Sequence, residues 1–175
     1  GTKPTNGFAL LHSVENYFAL RSLVNRHLAS MFQNDSDLPW NISPHEAVNF
    51  FLVAASGGTS GGGLHPAIGL LHDVARDRGI RTPRIHVSLI GAEMPIKDRT
   101  REMTHEQECF VQDTAANNLA KLQADYTSSG TTQEPRPDGT AFPIKTSHRV
   151  WSITIADHSN GEAQHSTTDG LVEML

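Results

Sequence analysis

A single cysteine, Cys109, is all the chain has in 175 residues, so no intramolecular disulfide framework holds it together. That suits a reducing compartment and predicts a cytoplasmic protein. Long apolar runs are missing too. None reaches the length of about 18 residues that a membrane-spanning helix needs. The opening GTKPTNG is too polar for a secretory signal. Blocks of lysine or arginine are also absent. The 14 basic residues are outnumbered by 19 acidic ones, giving a net charge of −5. Nucleic acid is therefore a poor default partner. An anionic ligand would have to be held by local backbone dipoles rather than by the global field.

Metal-binding spacings are lacking as well. There are 10 histidines but no H-E-x-x-H and no paired cysteines. His158 and His165 flank Asp157 and Glu162 in one polar segment, and His65 and His72 lie seven residues apart. Scattered histidines are the expectation, with no metal site built from the protein alone. Cys109, among apolar neighbours, reads as a small buried side chain rather than a nucleophile.

What is present is a pattern of alternating elements. Residues 7–33 carry apolar residues at 10, 14, 17, 20, 24, 28 and 31, the spacing of one amphipathic helix. A loop follows, with Ser43 and Pro44 opening a short turn of helix. NFFLVAA is a continuous apolar run, which predicts a strand buried on both faces. HPAIGLLHDVARDRG predicts a helix with Pro66 in its first turn, Leu64, Ile68, Leu71 and Ala75 inward, and Gly79 at its C′ position. RIHVSLIGA predicts a second strand. Strand, helix and strand in succession make a βαβ unit with a parallel pair.

Thr104 is the expected N-cap of a third helix with Phe110, Ala115, Leu119 and Leu122 inward. Residues 127–147 read as a polar loop or insertion. RVWSITIA predicts a third strand, followed by the loop DHSNGEAQHSTTDG and the start of a helix at LVEML. The order α-β-α-β-α-β-α predicts an α/β fold, a three-layer sandwich with a parallel sheet. The length suits a single domain over 1–175. The abrupt opening and the close inside an apparent helix predict a fragment of a larger nucleotide-binding domain.

The segment between the first strand and its helix is SGGTSGGG, with five glycines from 57 to 63. Ligands of open α/β sheets bind beyond the carboxyl ends of the strands. A helix amino end there offers amides and the positive end of a dipole to an anion. Glycines admit φ > 0 and let a phosphate approach the backbone. Thr59 and Ser60 add hydroxyls. The segment is neither a Walker A loop nor G-x-G-x-x-G. Glycine used only for a tight turn is the plainer alternative.

Ser56-Gly57-Gly58-Thr59-Ser60-Gly61-Gly62 resembles the tubulin/FtsZ signature [SAG]-G-G-T-G-[SAT]-G, with the order swapped at Ser60 and Gly61. The flanking strand and the helix ending ARDRGI fit that resemblance, as do RTREMTHEQ and VWSITIADHSNGEA. It extends over residues 48 to 170, and divergent bacterial tubulin-like proteins are the nearest in character. It implies that Gly57, Gly58, Thr59, Ser60, Gly61 and Gly62 cradle the phosphates of GTP or GDP, with Mg²⁺ on those phosphates. Asp98 and Arg101 would approach the ribose and phosphate, and Asn160 would pair with the guanine edge. Head-to-tail polymerisation and a cytoskeletal GTPase role are implied as well. The family's first phosphate loop and its catalytic acidic loop have no counterpart in this chain. Weak GTP binding and little hydrolysis are therefore expected of it alone.

Two rivals come from other classes. Gly58-Thr59-Ser60-Gly61-Gly62 also satisfies G-x-S-x-G, the pattern of a nucleophile elbow. GTSGG resembles the patatin-type lipid hydrolases, with Ser60 as nucleophile and Asp169 of TTDGL as its partner. The glycine-rich oxyanion loop expected upstream is missing. The second rival is a non-catalytic assembly scaffold, with the apolar first helix as an interaction surface.

Overall fold

In the computed structural model the residues described are 4–32, 47–90 and 104–156. Two helices open the chain, α1 (Pro4–His12) and α2 (Val14–Phe32). Strand β1 (Ala47–Ala55) leads through a two-residue turn into α3 (Gly58–Asp77), and β2 (Thr82–Ile90) follows. Helix α4 (His105–Thr127) precedes a hairpin of β3 (Thr131–Pro135) and β4 (Ala141–Lys145). A 3₁₀ turn (Thr146–His148) then delivers β5 (Ser152–Ala156).

The sheet is parallel and three-stranded, in the order β1-β2-β5. Ala47 pairs with Thr82 and Ala55 with Ile90, while His86 pairs with Ser152. Past the end of β1, the Ser56 N–H donates to the Ile90 carbonyl at 2.8 Å and holds the two carboxyl ends together. The mixed α/β class and the parallel βαβ unit are therefore as the sequence order implies.

Side chains of one face form the core. Ala54, Ile85, Val87 and Leu89 pack with Leu64 and Ile68 of α3, Leu122 of α4, and Val150. A second cluster joins Val48 to Leu70, Val74 and Ala75 of α3, and to Tyr17 and Leu28 of α2. Leu71 packs half-buried against the first cluster, so the inward face expected of α3 is present.

The other face of the sheet differs from the expectation of a doubly buried strand. Along β1 burial alternates, and Phe51 is 66% exposed. Helices of both clusters meet the sheet on its core face alone. The second covering layer of a sandwich is not among the elements of either cluster.

Three element boundaries also depart from the sequence reading. The opening helix breaks at Ser13, which turns Leu10 and Val14 outward instead of keeping them in line with Tyr17 and Leu28. Helix α3 begins at Gly58, so Pro66 lies well inside it rather than in its first turn. Residues 127–147 contain the β3–β4 hairpin, whose turn carries Pro137, Asp138 and Gly139 at φ 84°.

Capping follows local chemistry. Thr104 caps α4 in a capping box with Gln107. At the end of α3 the Gly79 N–H reaches Arg76 O, and the Ile80 N–H reaches Ala75 O. Gly79 has φ 67°, and the pattern is a Schellman motif. Phe110, expected inward on α4, is 50% exposed, and the neighbouring Val111 is buried instead. Cys109 is half-buried, with Sγ 3.7 Å from His105 Nε2.

Candidate functional site

Of the residues proposed as a phosphate cradle, Gly57 is the N-cap of α3, in an extended conformation. Gly58 takes φ 64°, the conformation that turns the chain from strand into helix. Thr59, Ser60, Gly61 and Gly62 do not form an open loop. They lie in the first two turns of α3, and Gly61 N–H already bonds Gly57 O at 3.2 Å. The tip of α3 therefore emerges directly at the carboxyl end of β1. It has no side-chain cap and no acidic residue in its first turn. Ser56, 4% exposed, holds its Oγ buried beside this turn, without a hydrogen-bond partner among the described residues.

Close packing accounts for several of the glycines. A Cβ on Gly57 would meet Val111 of α4 at 2.8 Å. One on Gly61 would strike the Ser56 carbonyl oxygen and reach Asn118 Nδ2 at 2.9 Å. Asn118 Nδ2 donates to both the Ser56 and Gly61 carbonyls, at 2.8 and 3.0 Å, which clamps α4 across the turn. On the other flank Gly7 of α1 lies against the Thr59 carbonyl oxygen and Gly63 N. The sides of the amino end of α3 are thus occupied by helices.

Asp98, Arg101, Asn160 and Asp169 lie outside the described residues, as do His158 and His165. Ser60 is exposed within the first turn of α3, two residues beyond the positive-φ position. In a nucleophile elbow the serine itself occupies the strained turn. Here a glycine does.

Two buried ionic centres were not foreseen. Asp73 of α3 is 1% exposed and accepts from Tyr17 Oη at 3.1 Å, Arg21 Nε at 2.9 Å and Arg136 Nε at 3.0 Å. Burial alone would raise its pKa, but the hydrogen bonds and charge of Arg136, with the charge of Arg21, hold it below the usual carboxylate range. The Tyr17 hydroxyl is pushed up by burial and by the Asp73 charge.

Arg149, 3% exposed, forms the second centre. Its Nε and Nη2 reach the two Glu134 oxygens at 2.9 and 3.1 Å, and Nη1 reaches Asp125 at 2.7 Å. Nη1 also donates to His65 Nδ1 at 3.3 Å, and Nη2 to the His65 carbonyl. The Arg149 carbonyl in turn accepts from His72 Nε2 at 2.9 Å. His65 and His72, seven apart, therefore both serve Arg149. Among the described residues no group of three or more metal-ligating side chains comes together.

A third arrangement lies on the open face of the sheet. His86 Nδ1 is 2.8 Å from Ser152 Oγ, and its Nε2 is 3.0 Å from Asn49 Oδ1. With Asn49 Oδ1 accepting from Nε2–H, Nδ1 accepts from the serine hydroxyl. Phe51 stacks on the imidazole, and Arg84 lies over the Trp151 ring at 4.4 Å. The order matches a serine–base–orienter relay, but it is set on a flat ladder of adjacent strands.

None of these three centres had a local signature. Each joins residues at least 15 positions apart in most of its bonds, and only the strand register brings 51, 86 and 152 into one row, with Asn49 two residues back along β1. Among the described residues no helix is long and apolar enough to cross a membrane. Compared with family models, with curated proteins and with solved structures, the chain has no match.

Proposed function

We propose that the chain is a nucleotide-binding domain of the tubulin/FtsZ kind, taking the phosphates of GTP or GDP at the amino end of α3. One observation carries this reading. A 20-residue helix points an uncapped, acid-free amino end at the carboxyl edge of a parallel sheet. A macrodipole of that kind is equivalent to roughly half a positive charge, and it attracts an anion. Gly58 and the unpartnered Ser56 hydroxyl at the turn agree with a site that a ligand completes. Mg²⁺ would ride on the phosphates, since the first turn offers only the hydroxyls of Thr59 and Ser60.

In the full assembly Asp98 and Arg101 would meet the ribose and phosphate, and Asn160 the guanine. A second helical layer would complete a three-layer sandwich, and copies would associate head to tail in the cytoplasm.

Ser60→Asp provides the test. An acid in the first turn of a helix stabilises it by about 0.3–1 kcal/mol. The same charge repels a phosphate. Fluorescent-GTP titration with ATP as competitor is expected to show GTP-selective, saturable binding for the unaltered chain. The variant should lose binding while its melting temperature holds or rises. Equal binding by both proteins would overturn the phosphate assignment. Labelling of Ser60 by a fluorophosphonate would favour the hydrolase alternative instead.

A further inference from the structure

A cavity of about 310 Å³ opens between α1, α3, α4 and the β3–β4 hairpin. It lies roughly two helical turns along α3 from Gly58, apart from the proposed phosphate site. Its size is at the lower end of the range for small-molecule sites. Phe8, Leu11, Pro66 and Pro137 line it together with His65, Lys121, Asp125 and Arg149.

His65 is the feature that asks for a ligand. Its Nδ1 accepts from Arg149, so the ring proton sits on Nε2. That Nε2–H is buried and has no hydrogen-bond partner among the described residues. Native structures rarely leave such a donor unsatisfied. Burial, together with the charges of Lys121 and Arg149, lowers the His65 pKa to about 3, so the ring is a neutral donor at physiological pH.

The charges around the cavity decide what sort of acceptor fits. Lys121 and Arg149 are cationic, Asp125 and Glu134 anionic, and Arg149 is already engaged by the two carboxylates and by His65. A further anion would leave the site with uncompensated negative charge, and a polyphosphate more so. A neutral oxygen acceptor fits without that penalty. If it belongs to a carboxamide, its N–H groups can also donate to the carboxylate oxygens.

We infer that this cavity is a second, separate binding site, for a small neutral molecule carrying a carbonyl or carboxamide oxygen on an apolar body, with His65 Nε2–H as the donor that recognises it. Benzamide is the probe and benzoate its anionic counterpart. With histidine labelled by ¹⁵N, benzamide should shift the His65 Nε2 resonance saturably, and benzoate should bind at least about tenfold more weakly. His65→Phe keeps a flat ring but removes the donor, and should weaken benzamide about tenfold, the effect of one lost hydrogen bond of ordinary strength.

The inference is overturned if benzamide leaves the His65 resonance unmoved up to its solubility limit. It is equally overturned if benzoate binds as well as benzamide, or if a folded His65→Phe retains full affinity. The resonance measurement uses the unaltered protein, so it decides the matter even where the variant does not fold.

Discussion

Truncating Arg149 would strand two carboxylates in a buried setting. Glu134 is 8% exposed, and Asp125 has Arg149 as the cation it bonds. Removing one partner of a buried ion pair typically costs about 3–5 kcal/mol, so Arg149→Met should lower stability by that order in urea unfolding. Gly69 faces the same centre. A Cβ there would come within 3.0 Å of the Glu134 Cγ and Cδ, so Gly69→Ala should push Glu134 off its bidentate geometry. Its helix-propensity gain of about 1 kcal/mol would be outweighed, and the melting temperature should fall.

The titrating groups point the same way. His65 and His72 are both held neutral, chiefly by burial, so their folded pKa values lie below the unfolded value. Between these values the unfolded chain binds more protons. Stability should therefore be fully present above about pH 6.5 and decline as pH falls, by up to about 1.4 kcal/mol per pH unit for each histidine. Asp73, depressed below its unfolded value, adds its own loss only at lower pH, as acid approaches its folded pKa. Urea midpoints measured from pH 8 to pH 4 should drop steadily below pH 6.5, and a flat profile would contradict the buried neutral imidazoles.

At the scale of elements, the contact of α1 with α3 rests on glycine. Gly7 lies so close to the Thr59 carbonyl that any side chain would force the helices apart. Gly7→Val should therefore undock α1, seen as faster proteolysis and faster amide exchange across residues 5–12, with the β1–β2 core still protected.

The same glycines explain why the sequence misleads at this point. Each glycine inside a helix costs about 1 kcal/mol relative to alanine, so SGGTSGGG reads naturally as a loop. Tertiary contacts reverse that preference, because Gly57 and Gly61 admit α4, and Gly63 admits α1. Elements with local signals were legible: the Thr104 cap, the Gly79 terminus, and the two apolar strands of the βαβ unit. The hairpin carried a signal as well, since Pro137-Asp138-Gly139 is turn chemistry. Its strands are short and contain Pro135 and Pro143, which hid them. The candidate site was legible only as a position, the end of β1. The centres at Asp73 and Arg149 depend on residues far apart in sequence, which no window of periodicity samples.

Across the whole molecule the two faces of the sheet are unequal. One is packed by three helices, while the other presents Phe51, Val53, Trp151 and the His86 ladder. Phe51→Lys should leave the melting temperature nearly unchanged, because exposed substitutions usually fall within about 0.5 kcal/mol. A loss several times larger would mean that this side of the sheet is covered in solution.

Arg149 sets the order in which the molecule can be made. During synthesis α1 and α2 emerge before β1, α3 and β2, which can then pair, and α4 and the hairpin follow with Asp125 and Glu134. Those carboxylates cannot be buried against the Arg149 guanidinium until residue 149 has left the ribosome, moments before β5 itself. Closure of the hairpin onto α3 is thereby deferred until just before β5, and a released chain truncated after residue 148 should hold the βαβ unit folded with the hairpin undocked.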